Sequence, residues 1–200
     1  MPQFGLRNIY AAKYVNTSGT ITYTNPQHVG DAMTANLELR YAEGRLYAED
    51  ALAEYMRKAV GGTISIGVKY IKLAAQQLMF GMKTKNRSIT YQPVGSTATT
   101  TATAQSTVLG GNDEGVYVGV AFYAPDMVDG VKKYTCVFIK KCLFGPPSMS
   151  LQTAGESISF NTPTTSGEFL IDDSADHNLF EIAIVDDENE AKAWVTAVLA

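Results

Sequence analysis

The feature that most constrains this fold is a pair of alternating strand patterns between residues 37 and 70. In LELRY the apolar and the charged side chains fall on opposite faces, and TISIGVKY alternates in the same way. This alternation predicts two strands that are each buried on one face. Residues 41–61 between them form a long connection rich in tyrosine and charge. We expect this connection to dock on another protein, because aromatic anchors and charge pairs suit an interface.

Strand patterns recur along the rest of the chain and predict a mainly β protein. They comprise FGLRNIYAAKY, GTITYT, SITYQPV, VYVGVAFYA, KKYTCVFIKKCLF, SISFNT and LFEIAIV. Short turn signals separate them, at Ser18-Gly19, Asp129-Gly130, Gly145-Pro146-Pro147 and Ser166-Gly167. This rhythm predicts antiparallel sheets in a β-sandwich or barrel and disfavours a parallel βαβ architecture.

Two segments have helical rather than strand spacing. A central helix is predicted at about residues 71–83, where one apolar stripe comprises Ile71, Ala75, Leu78 and Met82, with Ala74 and Met79 beside it. A short C-terminal helix is predicted at about residues 187–198, because Asp187 and Glu190 have the spacing of a capping box. Its apolar stripe is Ala191, Trp194, Val195 and Val198. We expect Trp194 to anchor this helix to the sheet rather than to bind a ligand.

The tract from Gly95 to Gly111 consists mainly of Thr, Ala and Ser and carries no charge. It has too few large apolar residues to bury a core of its own. We expect an exposed loop or hairpin tip, ordered only where a neighbouring copy covers it. A decorating loop on the outside of an assembly and a disordered loop of the monomer are both open. The tract is too short to mark a domain boundary, so residues 1–200 are interpreted as a single domain.

Charge is divided unevenly along the chain. The net charge of −4 and the pI of about 5.2 argue against a protein that grips nucleic acid, which requires a basic face. Residues 1–100 carry eleven Lys or Arg and six Asp or Glu, whereas residues 101–200 carry five and fourteen. This polarity either supports contacts between copies or has no consequence because the two halves interleave in the fold.

No residue pattern indicates catalysis, a cofactor or a metal. The chain lacks a nucleophile elbow and a phosphate-binding glycine loop, so we predict that it is not an enzyme. Cys136 and Cys142 have equal parity in one predicted strand, roughly 20 Å apart, which is too far for a disulfide. With two histidines in the chain, they do not indicate a zinc site either. The acidic run of Asp172, Asp173 and Asp176 lacks the Gly and Glu of a calcium loop and is expected to be a solvated turn.

The sequence predicts neither an export signal nor a membrane span. The first residues, MPQFGLRNIY, mix charged and apolar side chains and do not resemble a secretory signal peptide. The longest apolar runs fall short of the roughly 20 residues that span a bilayer, so no membrane insertion is expected.

The order of these segments resembles the major tail protein, or tail-tube subunit, of long-tailed bacteriophages that infect Gram-positive hosts. The resemblance covers nearly the whole chain. It rests on FGLRNIYAAKY, RLYAEDALAEY, GGTISIGV followed by KLAAQQLMFGM, GVYVGVAFYAPD, YTCVFIKKCLFGPPSMSLQT, SISFNTPT and AKAWVTAVL.

The resemblance implies a structural virion protein with a β-sandwich and a flanking helix. Such subunits form hexameric rings that stack into a hollow tail tube, through which phage DNA passes into the host. It further implies synthesis in the host bacterial cytoplasm and a final location in the virion. The implied partners are other copies, the tape measure and the tail terminator, with DNA only as transiting cargo. Two alternatives stay open: a β-sandwich recognition module for a receptor or glycan, and a ring protein of a contractile secretion system.

Two sets of residues are candidates for assembly. The resemblance implies that the long connection contacts an adjacent ring or subunit, through Tyr41, Glu43, Arg45, Tyr47, Glu49, Asp50, Tyr55, Arg57 and Lys58. Strand alternation places a second set away from the core, and in a tube this set is the candidate lumen face: Glu38, Arg40, Thr63, Ser65 and Lys69. Pairing of Arg40 and Lys69 with carboxylates of a neighbouring subunit is one possibility.

Overall fold

The computed structural model describes residues 5–148 and 162–200. These residues are mainly β with two flanking helices, as the sequence predicts. The elements are β1 Arg7–Thr17, β2 Thr20–Gly30, β3 Ala32–Ala48, β4 Ala51–Val68, α1 Leu73–Phe80, β5 Lys83–Tyr91, β6 Thr100–Val108, β7 Val118–Val128, β8 Val131–Phe144, β9 Thr164–Leu170, β10 Phe180–Val185 and α2 Glu188–Val198. Apart from its last residue, the predicted strand SISFNT lies outside the described residues.

The strands form one large sheet and one separate hairpin. Neighbouring strands of the large sheet follow the order β2, β1, β7, β8, β9, β4, β3, while β5 pairs, among the described residues, with β6 alone. Every pairing between these strands is antiparallel, as predicted. β8 is long enough to take two partners along one edge, with Cys142–Phe144 paired to β9 and Tyr134–Ile139 paired to β10. This path leaves β2 and β3 at its two ends.

Two of the predicted turns close hairpins, and one prediction is wrong. Ser18-Gly19 and Asp129-Gly130 have positive φ at both residues, as the turns that suit two-residue hairpin loops require. Ser166-Gly167, by contrast, lies inside β9 and pairs with β4. A Cβ at residue 167 would collide with the carbonyl oxygen of Leu143 and lie 2.9 Å from the Phe144 ring. This glycine therefore marks the close approach of β8 rather than a turn.

One face of the large sheet encloses the larger of two apolar clusters. Strands from both ends of the sheet contribute to it, so the sheet is curled around this core. Helix α1 packs against it through Ala75, Leu78, Met79 and Phe80. The helix is shorter than predicted, because Gly81 ends it with a φ of 66° and Met82 lies beyond that end.

The second apolar cluster lies on the other face of β7 and β8, beneath α2. Asp187 caps the helix, since its Oδ1 accepts a hydrogen bond from the Asn189 N–H at 2.7 Å. The reciprocal bond of the predicted capping box is displaced by one residue, because Glu190 accepts from the N–H of Asp186. The predicted apolar stripe is confirmed: Ala191 and Val195 are buried, and Trp194 and Val198 pack beside them.

The two cysteines lie in different clusters despite their equal parity. The register between β7 and β8 shifts between the pairs Val120–Ile139 and Val118–Cys142, which turns the end of β8 over. Cys136 therefore faces α2, whereas Cys142 faces the larger core. Both thiols are free and buried, and burial raises the pKa of Cys136 to about 11 and raises the pKa of Cys142 as well.

Asp172 corrects the prediction of a solvated acidic turn. Its side chain is buried, and Oδ1 accepts hydrogen bonds from the Ser174 hydroxyl at 2.7 Å and the Asn178 N–H at 2.8 Å. The carboxylate thus holds the loop after β9 closed on itself. Asp176 is exposed, as a solvated turn would have it.

The next residue, Asp173, ties the same loop to the sheet. The Lys141 ammonium lies 2.8 Å from its carboxylate, and the Tyr14 hydroxyl donates to it at 3.0 Å. Tyr14 also accepts a hydrogen bond from the Asp173 N–H, so the two residues are bonded in both directions. Lys141, and then Tyr14, hold the pKa of the Asp173 carboxyl below its usual range.

Candidate assembly surface

The predicted connection is the outer part of one long hairpin. Pairing between β3 and β4 continues without a loop to Ala48 and Ala51. The turn consists of Glu49 and Asp50, with φ values of 52° and 61°, the left-handed geometry that a two-residue hairpin turn requires. We call residues 41–59 the distal hairpin. The sequence did not reveal these strands because both of their faces carry polar and apolar side chains.

A β-bulge at Val60 separates the distal hairpin from the body of the sheet. Arg40 pairs with Gly61, whereas Tyr41 pairs with Ala59, so Val60 has no partner on β3. Because only β4 gains a residue here, the inward and outward alternation of its side chains reverses at the bulge, while the alternation along β3 is unchanged. The side of β3 that faces the core in the body of the sheet therefore becomes an aromatic and charged face in the distal hairpin.

That side of the distal hairpin forms what we call the tyrosine face, comprising Tyr41, Glu43, Arg45, Tyr47, Leu52, Tyr55, Arg57 and Ala59. Arg57 lies 3.6 Å above the centroid of the Tyr41 ring, and Arg45 lies 5.7 Å from that of Tyr55. Both arginines also contact Glu43, each at 3.4 Å. These contacts hold a connected layer of rings and charges on an exposed surface.

The opposite side of the distal hairpin is what we call the aliphatic face, comprising Ala42, Gly44, Leu46, Ala48, Ala51, Glu54, Met56 and Lys58. Leu46 is 57% exposed and Met56 is 74% exposed, and together with Glu54 they line a shallow depression. Large apolar side chains left this open are typical of surfaces that meet a partner. The sequence prediction missed Leu46 and Met56, although their alternation with Arg45 and Tyr55 becomes evident once both segments are treated as strands.

All nine predicted interface residues are exposed, on three parts of the distal hairpin. Six of them lie on the tyrosine face, Glu49 and Asp50 form the turn, and Lys58 lies on the aliphatic face. The structure thus brings most of the predicted set together. It divides the remainder between the tip and the opposite side.

Four of the five lumen candidates lie together on the outer side of the sheet body. Glu38 is paired with Thr63, and Arg40 and Ser65 lie on the same side one step along the strands. Lys69 is exposed but lies just past the end of β4, where its N–H donates to the Asp31 carbonyl at 2.9 Å.

Arg40 has a partner that the sequence did not indicate. Its guanidinium lies 3.0 Å from the carboxylate of Glu168 on β9, within the same chain. Ser65 similarly meets Ser166 of β9 at 3.4 Å. The outer side of β3, β4 and β9 is therefore a polar surface on which at least one cation is already neutralised. The available signal was an alternating pattern in which Ser166 and Glu168 fall on one side and Phe169 on the other. The glycine between Ser166 and Glu168 interrupts the apolar side and concealed this pattern.

The second exposed hairpin contains most of the Thr-rich tract. Residues 100–108 form β6, which pairs with β5 in an unbroken register from Lys83–Val108 to Tyr91–Thr100. The tract is thus half strand, and the chain orders it without a neighbouring copy. We call residues 83–108 the threonine hairpin. One of its faces bears hydroxyl and amide groups only, from Thr84, Asn86, Ser88, Thr90, Thr101, Thr103, Gln105 and Thr107.

The base of the threonine hairpin rests on α1. The Thr107 hydroxyl donates to Gln76 Oε1 at 3.0 Å, and Gln77 bonds to Thr84. Lys83 meets Asp113 at 2.5 Å, and this ammonium holds the pKa of the Asp113 carboxyl below its usual range. Beyond this base, both strands of the hairpin are largely exposed.

Across residues 5–148 and 162–200, no three His, Cys, Asp or Glu side chains are close enough to hold a metal. In the same ranges no helix combines the length and the apolar character needed to cross a membrane.

Comparison with protein-family models and with curated protein sequences finds no match to this chain. The two exposed hairpins and the polar side of β3, β4 and β9 are the features on which a functional hypothesis is based.

Proposed function

We propose that this chain is the structural subunit of a phage tail tube, assembling into stacked hexameric rings around a channel for DNA. The observation that carries the proposal is the distal hairpin, which extends beyond the body with apolar, aromatic and charged groups exposed on both faces. An isolated two-stranded hairpin is at best marginally stable in water, so covering its faces with other copies is favourable.

The edges of the large sheet support the same proposal. β3 is 17 residues long and, within residues 5–148 and 162–200, pairs only with β4, which leaves its outer edge open to another strand. Long open edges promote pairing between chains, and a closed ring satisfies them by giving each edge to a neighbour. The subunit therefore gains backbone hydrogen bonds on assembly.

The polar side of β3, β4 and β9 suits the wall of a DNA channel. Glu38 and Glu168 repel phosphate, and Arg40 is paired with Glu168 rather than available to bind it. A wall that bound phosphate strongly would slow the passage of DNA. We assign the lumen face to Glu38, Arg40, Thr63 and Ser65, with Lys69 at its margin, and no catalytic role to any residue.

The proposal is tested by negative-stain electron microscopy with size-exclusion chromatography, over a range of protein and salt concentrations. Rings or hollow tubes of uniform bore are the expected result. A monomer at every concentration, combined with binding in a glycan screen, would instead favour the recognition module. Genomic neighbours separate a phage tube from a contractile secretion system, which shares the ring architecture by analogy.

The double variant Tyr47→Ala/Tyr55→Ala tests the distal hairpin itself. These tyrosines are 62% and 47% exposed, so their loss should leave the fold intact but prevent stacking. The matched control is Tyr70→Ala/Tyr117→Ala, which removes two exposed tyrosines outside both hairpins. Normal tubes from the first variant, or equal losses from both, would argue against the distal hairpin as the contact.

A further inference from the structure

The tip of the distal hairpin and the threonine hairpin carry opposite charge. The tip of the distal hairpin, residues 47–54, contains Glu49, Asp50 and Glu54 and no Lys or Arg. The threonine hairpin contains Lys83, Lys85 and Arg87 and no Asp or Glu. Such a division gives each hairpin a surface that attracts the other and repels itself.

These charges are largely unused within one copy. Lys83 is paired with Asp113 at the base of the threonine hairpin. Among the residues that the structure describes, Lys85 and Arg87 form no salt bridge, and neither do Glu49, Asp50 or Glu54. Two cations and three carboxylates are thus available to a second molecule.

The apolar groups beside these charges also correspond. On the aliphatic face, Glu54 lies between Leu46 and Met56. On the threonine hairpin, Lys85 and Arg87 share a face with Ile89, which is 44% exposed and pairs with Ala102. Each face therefore has aliphatic side chains next to small ones, with Glu54 and the acidic turn at one and cations on the other. Lys58 also lies on the aliphatic face, but it pairs with Ala42 at the end away from the tip. Apolar contact between the two faces would bury exposed area while bringing opposite charges together.

We propose that the distal hairpin of one copy docks, by its aliphatic face and acidic tip, on the Lys85, Arg87 and Ile89 face of the threonine hairpin of a second copy. The inference rests on the proposed function, because its occupant is another copy of this chain. The contact is heterologous, joining two different surfaces, and therefore propagates from copy to copy into a ring or an open stack rather than stopping at a dimer.

The contact accounts for the different composition of the two faces of the threonine hairpin. One face, made of hydroxyl and amide groups, is well hydrated and gains little by burial. The face with Lys85, Arg87 and Ile89 combines charge and apolar surface. Because exposed ion pairs are screened by salt, we expect assembly through this contact to weaken as ionic strength rises.

Charge reversal in the full-length protein tests the proposal. One variant is Glu49→Lys/Glu54→Lys and the other is Lys85→Glu/Arg87→Glu, which leaves the Lys83–Asp113 pair intact. Alone, each variant places like charges at the contact. The association constant for its assembly, measured by analytical ultracentrifugation, should fall by at least about tenfold. Mixed in equal amounts, the two variants offer each other opposite charges at both surfaces, and assembly should return. A single chain carrying all four substitutions should also assemble.

Four results would overturn the inference, and the first three are distinguishable from failure of the proposed function. If wild-type protein forms tubes and either single-hairpin variant forms them equally well, the docking contact is wrong and the tube proposal stands. If neither the mixture nor the four-substitution chain recovers, the charges do not meet each other. If Lys85→Glu/Arg87→Glu loses binding to a short DNA duplex at low salt but still assembles, the basic face serves nucleic acid. If wild-type protein never assembles, both proposals fail.

Discussion

β7 and the distal hairpin are both strands of this chain, yet they are stabilised in opposite ways. In β7 nine consecutive residues, Val118–Asp126, are buried, because apolar clusters cover both faces of the strand. Almost every residue of the distal hairpin is exposed, and its contacts are cross-strand pairs and stacked arginines. The body of the sheet therefore folds by burying its own surface, whereas the distal hairpin depends on cross-strand contacts and leaves its surface exposed.

The largest expected effect contrasts a side chain in the core with one on the hairpin. Phe169 is fully buried in the larger core, so Phe169→Ala should lower the free energy of unfolding by about 3–5 kcal/mol through lost burial and a cavity. Tyr47→Ala removes an aromatic ring that is 62% exposed and should change it by no more than about 0.5 kcal/mol. Urea unfolding of the monomer measures both. Similar losses in the two variants would show that the hairpin stabilises the monomer as the core does.

A pair of glycines sharpens the same contrast at the level of one methyl group. Gly62 lies where β4 enters the core, and a Cβ there would meet the Glu38 carbonyl oxygen and the Phe169 ring. Gly62→Ala should therefore cost about 1–3 kcal/mol of unfolding free energy by overpacking. Gly44 lies on the distal hairpin with no atom within 4 Å of its Cβ position, and neither glycine has a left-handed φ.

Gly44→Ala is thus the matched control, and it should leave the thermal midpoint of the monomer unchanged or slightly higher, since alanine reduces the entropy of the unfolded chain. Differential scanning calorimetry at low protein concentration compares the two variants. A destabilisation by Gly44→Ala as large as that by Gly62→Ala would mean that the distal hairpin packs against something in the monomer.

The body could be predicted from the sequence because its signals are local. Ile64 and Ile66 alternate with Thr63 and Ser65, and that period alone places one set over a core and the other outside. The stripe of α2 is similarly regular, and it defines both the helix and the face that it buries. The class of fold follows from such patterns even though the order of strands does not.

What escaped prediction depends on contacts between distant residues. The bulge at Val60 and the register shift before Cys142 each reverse which side chains of a strand face the core. Neither can be recognised from the residues around it in the sequence. Gly167 resembles a turn residue but is required by the approach of Phe144. Glu168 joined the candidate lumen face only when the fold placed β9 beside β4. Such features follow from the pairing of distant strands, and the alternation of side chains along one segment carries no information about that pairing.

The smallest expected effect on stability at neutral pH concerns a buried hydroxyl in the body of the sheet, whose contribution changes only at alkaline pH. Tyr123 donates to the Glu188 carboxylate at 3.0 Å, and Arg7 reaches the same carboxylate at 2.9 Å. Burial, and then this hydrogen bond, raise the pKa of Tyr123 to about 12. In the unfolded chain a tyrosine ionises near pH 10, so between about pH 10 and pH 12 the unfolded state loses this proton while the folded state keeps it.

Stability conferred by the protonated Tyr123 is therefore complete below pH 10 and is lost as the pH rises to about 12. Urea midpoints measured from pH 7 to pH 11.5 should fall steeply above pH 10 in the wild type, and less steeply in Tyr123→Phe. The slope should persist in part, because burial also raises the pKa of Cys136 and of Tyr23, and these groups act in the same direction. Identical curves for the two proteins would mean that the Tyr123 hydroxyl is accessible to water, and that the body is less closed on this side than its contacts indicate.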